Sequence, residues 1–141
     1  MSDNGNHQCP WRTHARFGPI YPTFGSFDDG DGIVRFERLG APHGDGWFWM
    51  KVPWASHADY RGPALIRGRQ LDGQHDLRFA SDRHEAAPAL RFPVAPSTLG
   101  TNLPEGWRFQ PSMIGVRGPG CYALQVDGIN FTRLLVFEVV P

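Results

Sequence analysis

Apolar and polar residues alternate with a period of two in the last third of the chain, and this pattern predicts β-strands. Between residues 121 and 127, the side chains of Tyr122, Leu124 and Val126 fall on one face. The segment 131–140 repeats the alternation, and Asp127-Gly128 between the two segments is a favourable turn pair. We therefore predict a C-terminal β-hairpin that lies in the middle of a sheet.

Shorter segments with the same alternation occur upstream. Segment 47–52 places Phe48, Met50 and Val52 on one face and the indoles of Trp47 and Trp49 on the other. Pro53 is expected to end its ladder, and a polar loop follows up to residue 63. The further strand candidates are 33–38, 64–69, 77–80, 89–92 and part of 108–116. Residues 9–32 are read as an irregular lead-in and residues 93–106 as a loop.

The spacing of these segments indicates an all-β fold. Seventeen glycines and thirteen prolines recur between the candidate strands, which is typical of many turns. No stretch combines a 3.6-residue period with a cap, so little helix is expected. A chain of 141 residues fits one domain. We predict a flexible tail over 1–8 and a single β-sandwich or barrel domain over 9–141.

The charge balance limits the possible partners. Fourteen basic and fourteen acidic residues give a net charge of zero, which argues against nucleic acid and against an anionic membrane surface. Lys51 is the single lysine, so arginine supplies the other cations, either through genomic bias or as a site for carboxylate or phosphate. No apolar run reaches transmembrane length, and no signal-peptide segment follows Met1. A mature exported fragment and a cytosolic protein both fit this pattern.

Two cysteines, Cys9 and Cys121, stand near opposite ends of the sequence. A disulfide between them would tie the termini together and would imply an oxidising compartment. Two unrelated buried thiols are the alternative. The separation does not match the close pairs of a zinc site, and no histidine or methionine follows Cys121 as a blue-copper site requires.

Histidines near carboxylates are the candidates for a metal or acid–base site. His43 precedes Asp45 by two residues, His57 precedes Asp59 by two, and His75 adjoins Asp76. Imidazole and carboxylate are common zinc ligands and proton carriers. The predicted loops also collect such residues for solvation alone, so both interpretations stay open. No nucleophile elbow, phosphate loop or dinucleotide fingerprint is present, and we predict no cofactor and no particular catalytic residue.

Tryptophans supply the candidate binding surface. An indole on an exposed sheet face offers a surface on which a sugar or another polymer can stack. The alternative is that the lead-in segment attached at Cys9 covers this face. The candidate binding residues are Trp47, Trp49, Trp54 and Trp107.

Several phrases occur together in a characteristic order. They are Cys9-Pro10, then 50–54 (MKVPW), 65–72 (LIRGRQLD), 109–112 (FQPS), 119–122 (PGCY) and 134–137 (LLVF). In this order the chain resembles a group of small bacterial envelope or lipoprotein-like proteins over residues 9–140. The resemblance implies an exported, immunoglobulin-like antiparallel β-sandwich that is bridged between Cys9 and Cys121. It implies no reaction, and the chain departs from the group in lacking an export signal.

Three functional hypotheses follow from these features. The first is a non-enzymatic envelope module that contacts an unidentified protein or polymer through its sheet face or loops. The second is a small metal-dependent or acid–base enzyme built on His43, His57 and His75. The third is a structural subunit of an extracellular assembly that pairs through an edge strand.

Overall fold

The computed structural model describes residues 9, 18–23, 32–36, 39, 46–80, 86–94 and 104–141. Within these residues the chain forms eleven β-strands and no α-helix, so the all-β prediction is confirmed. The strands are β1 (Ile20–Pro22), β2 (Ile33–Arg35), β3 (Phe48–Lys51), β4 (Trp54–Ser56), β5 (Ala64–Gln70), β6 (Arg78–Ala80), β7 (Ala89–Phe92), β8 (Arg108–Gln110), β9 (Met113–Val116), β10 (Gly120–Gly128) and β11 (Thr132–Val140).

The largest sheet has five strands in the order β2-β11-β10-β5-β7. Strands β10 and β11 form the predicted C-terminal hairpin, which is antiparallel from the Gly120–Val139 pair to the Asp127–Thr132 pair. The reversal lies two residues later than predicted, because Gly128 still belongs to β10 and its N–H donates to the Phe131 carbonyl. Strand β2 pairs in parallel with the end of β11, so this sheet is mixed.

A bent ribbon supplies strands to the two smaller sheets. Strand β3 pairs with β9 in the sheet β3-β9-β6, and β4 pairs with β8 in the sheet β1-β4-β8. The bend is held by a buried relay in which Trp54 Nε1 donates to Ser112 Oγ (3.1 Å) and Ser112 Oγ donates to the Val52 carbonyl (2.7 Å). Because proline lacks an N–H donor, Pro53 and Pro111 separate these strand pairs at the bend.

One hydrophobic core is shared by the three sheets. The predicted alternation in β10 is confirmed, since Tyr122, Leu124 and Val126 are all completely buried. The sheet β3-β9-β6 contributes Ile114 and Phe79, among other buried side chains of the same core. A fully buried aliphatic or aromatic side chain contributes about 1.5–3 kcal/mol, so this shared core is the main stabilising element.

The predicted disulfide between Cys9 and Cys121 is present, with a Cα–Cα distance of 5.3 Å and a sequence separation of 112 residues. Cys121 pairs with Glu138 across β10 and β11, and its side chain lies on the sheet face opposite Tyr122. The bridge therefore fixes the start of the described chain to the outer face of the five-stranded sheet.

Two strands lie where the sequence predicted irregular chain. Strand β1 falls in the assumed lead-in and β4 in the assumed loop after Pro53. Each has three residues and is next to a proline, so neither shows a recognisable period. The predicted tail over 1–8 lies outside the described residues. Among those described, no helix is long and apolar enough to cross a membrane.

Candidate functional site

The sheet β1-β4-β8 has a buried face and an outer face. Ser56 and Arg108 are buried on the core side, whereas Tyr21, His57 and Trp107 are only partly buried. Ser56 is paired with Ile20 on one side and with Arg108 on the other. Side chains alternate between the two faces of a strand. The residues next to Ile20, Ser56 and Arg108 in sequence, which are Tyr21, His57 and Trp107, therefore point away from the core.

Three side chains on this outer face form what we call the aromatic cluster: Tyr21, His57 and Trp107. The His57 and Trp107 ring centroids are 4.3 Å apart with a 50° angle between the ring planes. Tyr21 is 5.6 Å from His57, and it meets Trp107 at 6.4 Å with an interplanar angle of 88°. The rings therefore form an angled notch rather than a flat platform.

A tight turn places Trp107 in the cluster. The Trp107 N–H donates to the Pro104 carbonyl, and Gly106 between them has a φ of 84°. That left-handed conformation favours glycine at the third position of a type II turn. A Cβ on Gly106 would also lie 2.8 Å from Ala58 Cβ, so only glycine allows the turn to approach the chain after β4. This close approach brings Trp107 beside His57.

Behind the cluster, the buried guanidinium of Arg108 joins several segments. Its Nη2 donates to Ser56 Oγ (3.1 Å) and to the carbonyls of Tyr60 (2.7 Å) and Gly62 (2.9 Å). Its Nη1 donates to the carbonyls of Pro93 (3.3 Å) and Val94 (3.0 Å).

The charge of Arg108 is stabilised mainly by backbone carbonyl dipoles and by aromatic rings. The guanidinium lies 5.1 Å from the centroid of the Phe92 ring and 5.7 Å from that of Tyr60. Burial lowers the pKa of Arg108, although arginine remains charged in proteins. Because Arg108 and Ser56 adjoin Trp107 and His57 in sequence, this anchor fixes the backbone that carries two of the three rings.

The other predicted tryptophans are not free surface groups. Trp54 is completely buried and belongs to the core, which corrects its assignment as a binding residue. Trp47 is 9% exposed, and the guanidinium of Arg117 lies 4.4 Å from its ring centroid. Arg78 also lies over the Trp47 ring, at 5.5 Å. Trp49 is half-buried and packs against Gly115, its cross-strand partner. Of the four candidates, Trp107 is the one in the aromatic cluster.

The predicted metal and acid–base residues are not assembled into a site in the described part of the chain. His57 lies in the aromatic cluster, His75 lies in an exposed turn after β5, and His43 falls outside the described residues. Among residues the structure describes, no three histidine, cysteine, aspartate or glutamate side chains are grouped as metal ligands would be. The described geometry therefore assigns no metal site to His57 or His75.

Sequence reasoning did not identify Tyr21 or Arg108. Tyr21 belongs to a three-residue strand in the assumed lead-in, and Arg108 resembles any other arginine in a strand. A usable signal was the alternation Trp107-Arg108-Phe109, which puts the side chain of Arg108 on the sheet face opposite the two aromatic rings.

Comparison of the chain with protein-family models, with curated proteins and with solved structures gives no match.

Proposed function

We propose that this protein is an exported or cell-envelope binding module without catalytic activity, and that the aromatic cluster contacts a neutral glycan chain. The observation that carries the proposal is the grouping of Tyr21, His57 and Trp107 on one partly exposed face, with centroids 4.3–6.4 Å apart. Aromatic rings present an apolar body together with a polar tip. A sugar ring has complementary apolar C–H faces and hydroxyl edges.

The angle between the rings favours an occupant that makes contact on two sides. Trp107 and Tyr21 are nearly perpendicular, so one offers a ring face where the other offers an edge. A pyranose seated in the notch would stack on one ring while its hydroxyls accept hydrogen bonds from the indole N–H or the tyrosine O–H. The zero net charge of the chain favours a neutral glycan over a polyanion.

The proposed location rests on the disulfide and on the sequence resemblance. Disulfides persist in oxidising compartments, and the Cys9–Cys121 bridge supports an extracytoplasmic site of action. The envelope group that the sequence resembles is also exported. We include the immunoglobulin-like form of the sandwich in this proposal, and β layers packed around one core support it.

A titration with defined glycans tests the proposal. The oxidised protein would be titrated with cellohexaose, maltohexaose, xylohexaose and chitohexaose, with backbone amide shifts followed by NMR. We expect at least one glycan to shift the amides near Tyr21, His57 and Trp107. Trp107→Ala should weaken that binding about two- to twelvefold, because an aromatic contact contributes about 0.5–1.5 kcal/mol beyond its buried area.

Leu134→Ala is the matched control, because Leu134 is 59% exposed and lies on β11 rather than in the sheet β1-β4-β8. Its glycan affinity should equal that of the unmodified protein. Equal affinities for Trp107→Ala and the unmodified protein would refute the role of the cluster. Binding of a proline-rich peptide at the same rings, with no response to any glycan, would refute the ligand class.

A further inference from the structure

The outer face of the five-stranded sheet carries a groove that is separate from the aromatic cluster. Its volume is about 560 Å³, which lies within the range of small-molecule sites. We call it the β5–β10 groove, and it is lined by Arg67, Gly68, Arg69, Leu71, Asp76, Pro88, Ala123, Gln125 and Leu134.

A small residue leaves room for the groove between larger side chains. Ala123 pairs with Arg69 on one side and with Val136 on the other, and its methyl group occupies little space on the outer face. Gly68 contributes backbone alone, since a Cβ there would point to the core side and lie 2.5 Å from Leu77 Cδ1. Apolar surface is available beside it, since Leu71 is 48% and Leu134 is 59% exposed.

Arg67 and Asp127 already form an ion pair beside the groove. The Arg67 guanidinium donates to Asp127 Oδ2 at 2.9 Å, and the Asp127 carboxylate also accepts from Gln125 and Thr132. These hydrogen bonds, with that of Gln125 the largest contribution, lower the pKa of Asp127. Arg67 is therefore oriented at the groove while four of its five N–H donors have no partner among the described residues.

A second pair of opposite charges lines the groove without being joined. Arg69 and Asp76 face each other through an isolated antiparallel bridge, so their side chains lie on the same face. In the described part of the chain, neither side chain makes an ion pair or hydrogen bond. A cation site and an anion site therefore lie side by side along the groove.

We infer that the β5–β10 groove binds a short zwitterionic peptide of two or three apolar residues. The peptide ammonium would bind Asp76, and the carboxylate would bind the free donors of Arg69 and Arg67. Asp76 lies opposite Arg69 and diagonal to Arg67, and diagonal side chains on one sheet face are about 7–8 Å apart. The termini of an extended dipeptide are separated by a similar length, at about 3.3–3.6 Å per residue. Leu71 and Leu134 would contact the apolar side chains.

The same face fits other occupants less well. A pure anion would meet Asp76 and Asp127 beside the two arginines, and these carboxylates offset the positive charge. A second copy of the chain would place one hollow against another hollow, and a standard protein interface needs about 800 Å² of buried surface on each partner. A small ligand carrying both charges avoids both problems.

Dipeptides with one charge removed test the inference. The probes are leucyl-leucine, its N-acetyl form without the ammonium, and its C-terminal amide without the carboxylate. Binding to the oxidised protein would be measured from amide chemical shifts. We expect leucyl-leucine to shift β5 and β10 amides and each blocked probe to bind at least about fivefold more weakly, the factor expected for an exposed ion pair of about 1 kcal/mol.

Isosteric variants then assign each charge. Asp76→Asn should weaken leucyl-leucine about fivefold and should not weaken the N-acetyl form, because that probe has no ammonium. Arg69→Gln should weaken the N-acetyl form and should not weaken the amide, because that probe has no carboxylate. Arg91→Gln is the control, since it removes an equal charge from β7 outside the groove and should alter no affinity.

The inference is independent of glycan binding, because the amides that respond belong to different sheets. Absence of any shift in β5 or β10 at 10 mM leucyl-leucine, a concentration chosen to detect about millimolar affinity, would overturn it. An equal loss for the zwitterion and the N-acetyl form in Asp76→Asn would also overturn it, since the effect would not then depend on the ammonium.

Discussion

Replacement of Arg108 by methionine tests whether this buried cation stabilises the sheet β1-β4-β8, which carries the aromatic cluster. Methionine keeps a long flexible chain but removes every donor. The hydroxyl of Ser56 and the carbonyl of Tyr60 belong to buried residues and would lose the hydrogen bond from Arg108, which leaves them the longer contact from Ser56 Oγ to the Tyr60 carbonyl (3.4 Å). Impaired hydrogen bonding of a buried group costs up to about 1–3 kcal/mol.

The other three acceptors reduce the expected loss. The carbonyls of Gly62, Pro93 and Val94 lie in less buried residues, where water can replace the guanidinium. Removing a buried charge also restores part of its desolvation cost. We expect Arg108→Met to lower the free energy of unfolding by about 3 kcal/mol. For a chain of this length, that corresponds to a fall in Tm of about 10 °C.

Urea denaturation, monitored by tryptophan fluorescence, would measure this change in the free energy of unfolding. Arg108→Lys should lose less than Arg108→Met, because lysine keeps the charge but cannot form the forked hydrogen bonds of arginine. Arg91→Met is the matched control, since Arg91 is exposed, and it should change stability by less than about 0.5 kcal/mol. A loss below about 1 kcal/mol in Arg108→Met, or no difference between Arg108→Lys and the unmodified protein, would refute the reasoning.

Two further predictions concern the disulfide and the strand partner of Trp49. The double variant Cys9→Ser/Cys121→Ser should lose about 4–5 kcal/mol by the loop-entropy model and show a larger urea m-value, whereas an unchanged m-value would contradict this account. Gly115→Ala should cost about 1–3 kcal/mol in the same assay, because a Cβ there would lie 3.0 Å from the Trp49 ring. Gly118→Ala has open space at the Cβ position and should change stability by less than about 0.5 kcal/mol, and equal losses for both glycines would contradict the packing argument.

The long strands could be predicted from the sequence because their pattern spans several periods. Strands β10 and β11 have nine residues each, and the alternation in each continues over its length. Their inward side chains meet one core, so a shift of one residue would expose the whole apolar set. Segments such as Ala89–Phe92 were also located correctly, since apolar side chains at Leu90 and Phe92 alternate with more exposed ones.

The candidate site could not be predicted because it is built from short strands. Tyr21, His57 and Trp107 come from three distant parts of the sequence, and no local pattern relates them. Their grouping depends on the pairing of β4 with both β1 and β8, which is a tertiary property. The sequence favoured Trp47 and Trp49 because their strand was easy to recognise. It gave no indication that arginine side chains would lie over the Trp47 ring.

The covalent link between Cys9 and Cys121 also determines what a protease can do to this molecule. A single nick at any peptide bond between residues 9 and 121 creates a new pair of ends, yet both fragments stay tethered through sulfur. The fragments would migrate as one species on a non-reducing gel and as two after reduction. In a degradative environment, one cleavage would therefore leave the fragments joined and able to remain associated through the core.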